Sequence, residues 1–229
     1  MNAVDFFSFT TEAWSAANAV AALLSLTAHW VTESFERMSA VLKVLLLNES
    51  HTGQYLATKY EEMLASWKIP LVKVHLVFRD NAANMMKAMH DQASPSFRCF
   101  AHSLQLVVNH GVLAHQAVLD LLATCKKIVG HFKHLTTAYS KLQEMQEQLQ
   151  LPLHRLEQNV KTRWNHSLYM LMSVLEMKMA LVAYAFEHIF TVLTQYPANL
   201  AAKVVAALEP IKETTEAILA DSTSWLFHW

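Results

Sequence analysis

Two carboxylates in this sequence stand where a chain could use them. Asp80 closes the run Val72-Lys73-Val74-His75-Leu76-Val77-Phe78-Arg79, and Asn81 to Met89 follows, rich in the good helix formers Ala and Met. Val72, Val74, Leu76 and Phe78 alternate with Lys73, His75 and Val77, a period-2 pattern that predicts a strand. Asp80 therefore stands where a strand hands over to a helix. In open α/β sheets ligands and catalytic groups gather there. A plainer reading makes Asp80 or Asn81 the cap of the helix. Glu12 closes an earlier aromatic, β-rich run, Val4 to Thr11. If the two runs are neighbouring strands, Glu12 and Asp80 come within reach of one divalent ion. Mg²⁺ or Mn²⁺ held this way activates water for phosphodiester hydrolysis. Otherwise the two are unrelated surface acids.

Three further groups carry chemistry. Cys99-Phe100-Ala101-His102 spaces two soft-metal ligands as Cys-x-x-His, with His110 and His115 nearby. No second pair completes a zinc site, so a polar pair at a strand-to-helix junction is the simpler reading. Lys161-Thr162-Arg163-Trp164-Asn165 sets an Arg beside a Trp just ahead of a helix. That suits phosphate contact with base stacking, or a helix anchor with Trp164 in the core. Lys126, Lys127, Lys133, His134 and Lys141 form a basic run in which Lys127, His134 and Lys141 are seven apart. On one helix these three share a face that could track a nucleic-acid backbone, or serve as a solvated surface.

The elements that position these residues follow from composition and pattern. The 229 residues, 53% hydrophobic and 16% charged, suffice for one large domain or one domain with an insertion. Only 3 Gly and 5 Pro favour long helices, and the net charge of −1 leaves nucleic-acid binding to a local patch. Two cysteines make neither a four-Cys zinc site nor a disulfide scaffold, which points to a reducing compartment. The start carries Asp5 and no basic stretch, unlike a secretory signal. Residues 16–31 are interrupted by Asn18, Ser25, Thr27 and His29, too polar and too short for a membrane span. Strands are predicted at Val4–Thr11, Ala19–Val31, Ser39–Leu47, the run into Asp80, and Phe97–Phe100. Helices are predicted at Gln54–Trp67 and from Asp80 to about His90. The order β-β-β-α-β-α-β gives three antiparallel strands and then parallel crossovers. After Ala101 the pattern is helical: 112–139, a polar stretch 140–150 stopped by Pro152, a long helix 165–195, and another over 199–220. The division expected is an α/β core over residues 1–100, a helical region over 101–221 and an unassigned tail, 222–229.

Seven stretches in order resemble the transposase domain of the hAT superfamily, especially its BED-zinc-finger relatives in animals. They are Phe9-Thr10-Thr11-Glu12-Ala13-Trp14-Ser15, Leu26-Thr27-Ala28-His29-Trp30, His51-Thr52-Gly53, Asp80-Asn81-Ala82-Ala83-Asn84-Met85, Cys99-Phe100-Ala101-His102-Ser103-Leu104-Gln105-Leu106, Leu151-Pro152-Leu153-His154 and Thr162-Arg163-Trp164-Asn165. The resemblance implies an RNase H-like mixed sheet interrupted by a helical insertion after the fifth strand. Active members cut and join DNA at a divalent-metal site of two Asp and one Glu. Glu12 stands at the first Asp position and Asp80 at the second. Cys99 and His102 match the Cys-x-x-His beside the active site, and Arg163 and Trp164 the Arg-Trp element that handles DNA ends.

Three departures weigh against activity. Glu12 adds a methylene where Mg²⁺ demands near-ideal geometry. The family's third carboxylate follows the insertion, within which this sequence is expected to stop; Glu187, Glu209, Glu213 and Glu216 cannot be assigned its role. The BED finger and the dimerisation segment are not in this sequence. The expectation is a domesticated, inactive domain in the nucleus with a DNA-associated or transcription-regulatory role. DNA would be met by Arg163, Trp164, Lys127 and Lys161. No cofactor is expected beyond Mg²⁺ or Mn²⁺ at a working carboxylate site. In full-length relatives the partners would be a second copy or other nuclear proteins, with no membrane and no small-molecule substrate. The alternatives are a metal-dependent transposase or nuclease domain completed by residues outside this chain, and a protein-interaction module with no nucleic-acid role.

Overall fold

The computed structural model describes residues 5–15, 22–160 and 163–219. The chain divides into two units, Met1–Ser103 and Leu104–Trp229.

The first unit is an RNase H-like mixed sheet. Its strands are β1 (Phe7–Ser15), β2 (Ala22–Val31), β3 (Arg37–Leu47), β4 (Val74–Arg79) and β5 (Ser96–Arg98), in the order β3-β2-β1-β4-β5. β1, β2 and β3 pair antiparallel. The turn from β2 to β3 is held by Thr32, whose Oγ1 accepts from Glu36 N at 3.1 Å, with Phe35 at φ 61°. β4 lies parallel to both β1 and β5, which a tight turn cannot arrange. The crossovers are α1 (Gly53–Ser66) and α2 (Ala83–Asp91). Thr52 caps α1 by accepting from Tyr55 N at 3.2 Å. Leu56, Tyr60, Met63 and Leu64 of α1, with Met85, Ala88 and Met89 of α2, are buried in one cluster with Phe7, Phe9, Leu24, Leu26 and Val77. Each of the Leu, Met, Phe and Val side chains among them contributes ~1.5–3 kcal/mol by leaving water.

Several boundaries differ from the sequence expectation. β3 begins at Arg37, and β5 covers only Ser96–Arg98, with Phe100 opening a helix instead of ending a strand. β1 runs on to Ser15, so Glu12 does not end it. Val72 belongs to a 3₁₀ turn, Leu71–Lys73, and β4 begins only at Val74. Pro70 cannot donate to a ladder and opens that turn instead.

α3 (Phe100–His110) carries the chain out of the first unit, and the division falls inside it, after Ser103. The second unit continues with α4 (Gln116–His134), α5 (Thr136–Gln148), α6 (Trp164–Glu176), α7 (Lys178–Glu187) and α8 (Gln195–Leu219). The stretches 112–139 and 165–195 are thus not single helices. Extended Leu135 (φ −117°, ψ 100°) separates α4 from α5, and Met177 (φ −87°, ψ 7°) ends α6. Pro197 lies inside the first turn of α8, where a missing N–H leaves no bond unmade. Leu168, Met170, Leu171, Ala180, Ala201 and Leu208 are at the centre of this unit's core. Among the described residues no single helix is long and apolar enough to cross a membrane.

Candidate functional site

The parallel pairing of β1 with β4 sets the geometry of the two carboxylates. Thr10 pairs with Phe78 and Thr11 with Arg79, the last pair of the ladder, so Glu12 and Asp80 are the residues that follow it on the two chains. Adjacent strands lie about 4.8 Å apart, and residues in register point to the same face. Glu12 sits within β1, opposite Ser25 of β2, with its carboxylate in solvent and bonded to nothing among the described residues. It is β4, not β1, that ends here.

Asp80 is half-buried, and its Oδ1 accepts from Ala82 N at 3.0 Å. The cap residue of α2 is Ala82, without a side-chain bond, so neither Asp80 nor Asn81 is the N-cap. Asp80 instead fixes the turn ahead of the helix. Asn81 reaches away: its Nδ2 donates to Ser103 Oγ at 3.0 Å, and that hydroxyl donates to the Cys99 carbonyl at 3.0 Å. Asn81 Oδ1 is buried with no partner among the described residues.

Arg79 was missed as a site residue. It is 6% exposed, with Nε donating to Ser96 Oγ at 3.2 Å and Nη1 to the Asp80 carbonyl at 3.0 Å. Cys99 N donates to the Arg79 carbonyl at 2.6 Å. These bonds tie the ends of β4 and β5 together beneath Asp80. Burial pulls the Arg79 pKa down, and Arg98, its register partner on β5, adds to that. The one sequence signal was an Arg closing an apolar strand beside the candidate carboxylate.

Cys99 is half-buried between β5 and α3, and His102 is half-buried in the first turn of α3. Among the described residues no three or more His, Cys, Asp or Glu side chains gather as a metal site. Glu12 and Asp80 are two carboxylates, short of the three-carboxylate set the resemblance implies. Asp80 also has one oxygen already engaged.

In the helical unit Trp164 corrects the sequence reading. It is 4% exposed and packs in the core, so its ring offers no face to a base. Arg163 is exposed at the start of α6. Lys161 and the tail 222–229 lie outside the described residues. Lys126 and Lys127 are exposed on α4, which ends at His134. Lys141 lies on α5 and pairs with Glu144 at 3.1 Å, so Lys127, His134 and Lys141 do not share one helix. Lys133 donates to Gln158. Glu187, Glu209, Glu213 and Glu216 are exposed, and Glu216 lies 3.6 Å from Lys212.

A mixed sheet in the order β3-β2-β1-β4-β5, an acid at the carboxyl end of β4 and helices after the fifth strand define a transposase-type RNase-like domain. Residues 10–98 match the model of the ZBED1 RNase-like domain, and residues 97–211 that of the ZBED1 RNase-like helical domain. The human zinc finger BED domain-containing protein 4 is 30% identical over 76% of this chain and 15% of its own length. Human zinc finger BED domain-containing protein 6 is 28% identical over 84% of this chain and 21% of its own. A putative AC transposase of Zea mays is 24% identical over 77% of this chain and 23% of its own. The chain belongs to the hAT-derived, BED-type family. It spans less than a quarter of the length of these relatives.

Proposed function

We propose that this chain is a domesticated, catalytically inactive transposase domain that works in the nucleus as a DNA-associated regulatory scaffold. The observation that carries this reading is the donor set. Glu12 stands where the resemblance calls for Asp, it and Asp80 follow the last β1–β4 pair, and Asp80 already spends one oxygen on Ala82 N. Mg²⁺ tolerates little departure from octahedral geometry, and a longer carboxylate misplaces the ligand. DNA contact falls to exposed cations with no carboxylate partner among the described residues, Lys127 and Arg163. Phosphate contacts of this kind release counterions, so affinity falls steeply with salt.

The test is one preparation assayed twice, for nicking with Mn²⁺ and for duplex binding across a salt series. The expected result is no nicking above that of Asp80→Ala, with salt-dependent binding whose slope drops by about one unit in Lys127→Ala or Arg163→Ala. Binding indifferent to salt and to both substitutions removes the DNA role and leaves a protein-interaction module. Glu12 and Asp80, which follow the last β1–β4 pair, favour a second reading, a nuclease or transposase domain completed by residues outside this chain. Metal-dependent nicking that disappears in Asp80→Ala would establish it.

A further inference from the structure

The order β3-β2-β1-β4-β5 leaves β3 with no neighbouring strand on its outer edge among the described residues. The strand has 11 residues, about 35 Å at ~3.4 Å per residue, and an unpaired edge of that length is a template for a further strand. Ala40 and Leu45 pack on the core that α1 and α2 cover. Val41, Val44 and Leu46 point the other way and are 65%, 48% and 52% exposed. Trp14 of β1 extends this outer face, because it pairs with Leu23 of β2, which pairs with Leu46.

One irregularity decides what fits this edge. Lys43 pairs with Leu26 and Val41 with Thr27, so Leu42 is an extra residue, a β-bulge. Trp67 Nε1 donates to the Leu42 carbonyl at 2.9 Å and holds the bulge in place. In an unbroken strand, residues three apart face opposite sides. Across the bulge, Val41 and Val44 face the same side, as their partners Thr27 and Ser25 do on β2. An ordinary strand laid along this edge matches one flank, and beyond the bulge its side chains fall on the wrong face. A strand with the same bulge matches both flanks, and another β3 is such a strand. Turned antiparallel about a two-fold axis at the bulge, two copies set Val41 against Val44, Ala40 against Leu45 and Met38 against Leu47, each pair twice. The first pair lies on the outer face and the other two on the core face. No like charges meet, since Lys43 stands opposite Leu42 and Arg37 opposite Asn48.

We infer that the β3 edge docks a second copy of this chain, joining two sheets into one through antiparallel β3–β3 pairing centred on the bulge. Backbone hydrogen bonds supply the attraction, and the matched bulges supply the register. A single ladder belongs to the small-interface class, so a dissociation constant of about 10–100 µM is expected. The pairing does not depend on DNA contact through Lys127 and Arg163.

The test is sedimentation equilibrium of the full chain from about 1 to about 500 µM, with disulfide cross-linking to read the register. A monomer at the low end and a dimer at the high end are expected. Val44→Lys is expected to weaken association about tenfold or more, because a charge on an edge strand blocks pairing. Val44 is exposed, so the variant keeps its native circular dichroism and melting temperature. Directly opposite residues on paired strands hold their Cβ atoms about 4.5–5.5 Å apart, close enough for a disulfide to form with small backbone shifts. Oxidising an equal mixture of Val41→Cys and Val44→Cys chains should therefore join them through those two positions, whereas Val41→Cys alone should couple poorly. Peptide mass spectrometry separates this link from any through Cys99. A monomer mass up to about 500 µM overturns the inference. So does a dimer that Val44→Lys leaves intact, or one in which Val41→Cys couples to itself as readily as to Val44→Cys.

Discussion

Trp164→Ala separates a core role from a DNA-contacting one. The side chain is 4% exposed in the cluster that holds Leu168, Leu171 and Val174. Truncating a buried Trp to Ala costs ~3–5 kcal/mol, because the transfer energy is lost and a cavity is left. Against a domain stability of ~5–15 kcal/mol, the variant stays folded at low temperature but loses much of its margin. For a unit of this size the midpoint falls by roughly 10 °C or more. Urea and thermal melts followed by far-ultraviolet circular dichroism read that loss, since the helical unit dominates the signal. Duplex binding measured below the transition should equal that of the natural chain, because the ring was never offered to a base. Arg163→Ala is the mirror case: the side chain is exposed, stability changes by less than about 0.5 kcal/mol, and duplex binding weakens. A Trp164→Ala chain that loses under ~1 kcal/mol, or loses duplex affinity about tenfold while folded, refutes the reasoning.

Burial pushes the Cys125 thiol up to about 12, so a thiol reagent at mildly alkaline pH should titrate Cys99 alone in the native chain and both cysteines in denaturant. Two fast thiols in the native chain would contradict the burial. The hydrogen bond from Lys87, 2.9 Å from Asp91 Oδ2, holds the Asp91 carboxyl below the usual range. The folded pKa is below the unfolded one, so the contribution is present above the unfolded value and is lost as pH falls through the folded one. The melting-temperature gap between the natural chain and Lys87→Met should therefore be open at neutral pH and close below about pH 4; a gap that widens in acid would reverse the sign. Pro210 lies in the interior of α8, where it removes a backbone donor, so Pro210→Ala should raise the stability of the helical unit by ~1–3 kcal/mol in urea melts. A destabilised variant would mean that the helix has adapted its packing to the break.

The β-β-β-α-β-α-β order was legible because it is written in local pattern. Alternation into Phe78 and the Ala and Met residues after Asp80 report a strand and a helix without tertiary help. That Glu12 and Asp80 both follow the last β1–β4 pair was readable only as a condition, since it depends on which strands become neighbours. Breaks at Leu135 and Met177 were invisible because neither carries Gly or Pro, and their Leu- and Met-rich surroundings continue the helical spacing on both sides. Burial of polar groups was equally hidden. Arg79 and Gln146 lie inside because particular carbonyls and hydroxyls meet them, and those partners are distant in sequence or set by the fold. Trp164 had both readings in the sequence, and packing decided between them.

The pairing of β1 with β4 also places the domain on a clock. Thr11 and its register partner Arg79 are 68 residues apart, so the second edge of β1 has nothing to bond until that length has been made. At ~5–20 residues per second a ribosome takes roughly 3–14 s to supply it. During that interval Phe7 and Phe9 lack α2 and β4, which complete their cover. The newborn three-stranded meander keeps that apolar face uncovered, and a translational pause between β3 and β4 lengthens its exposure. Asp80 is carried to the side of β1 only when β4 docks, so this end of the sheet is among the last features of the first unit to take shape.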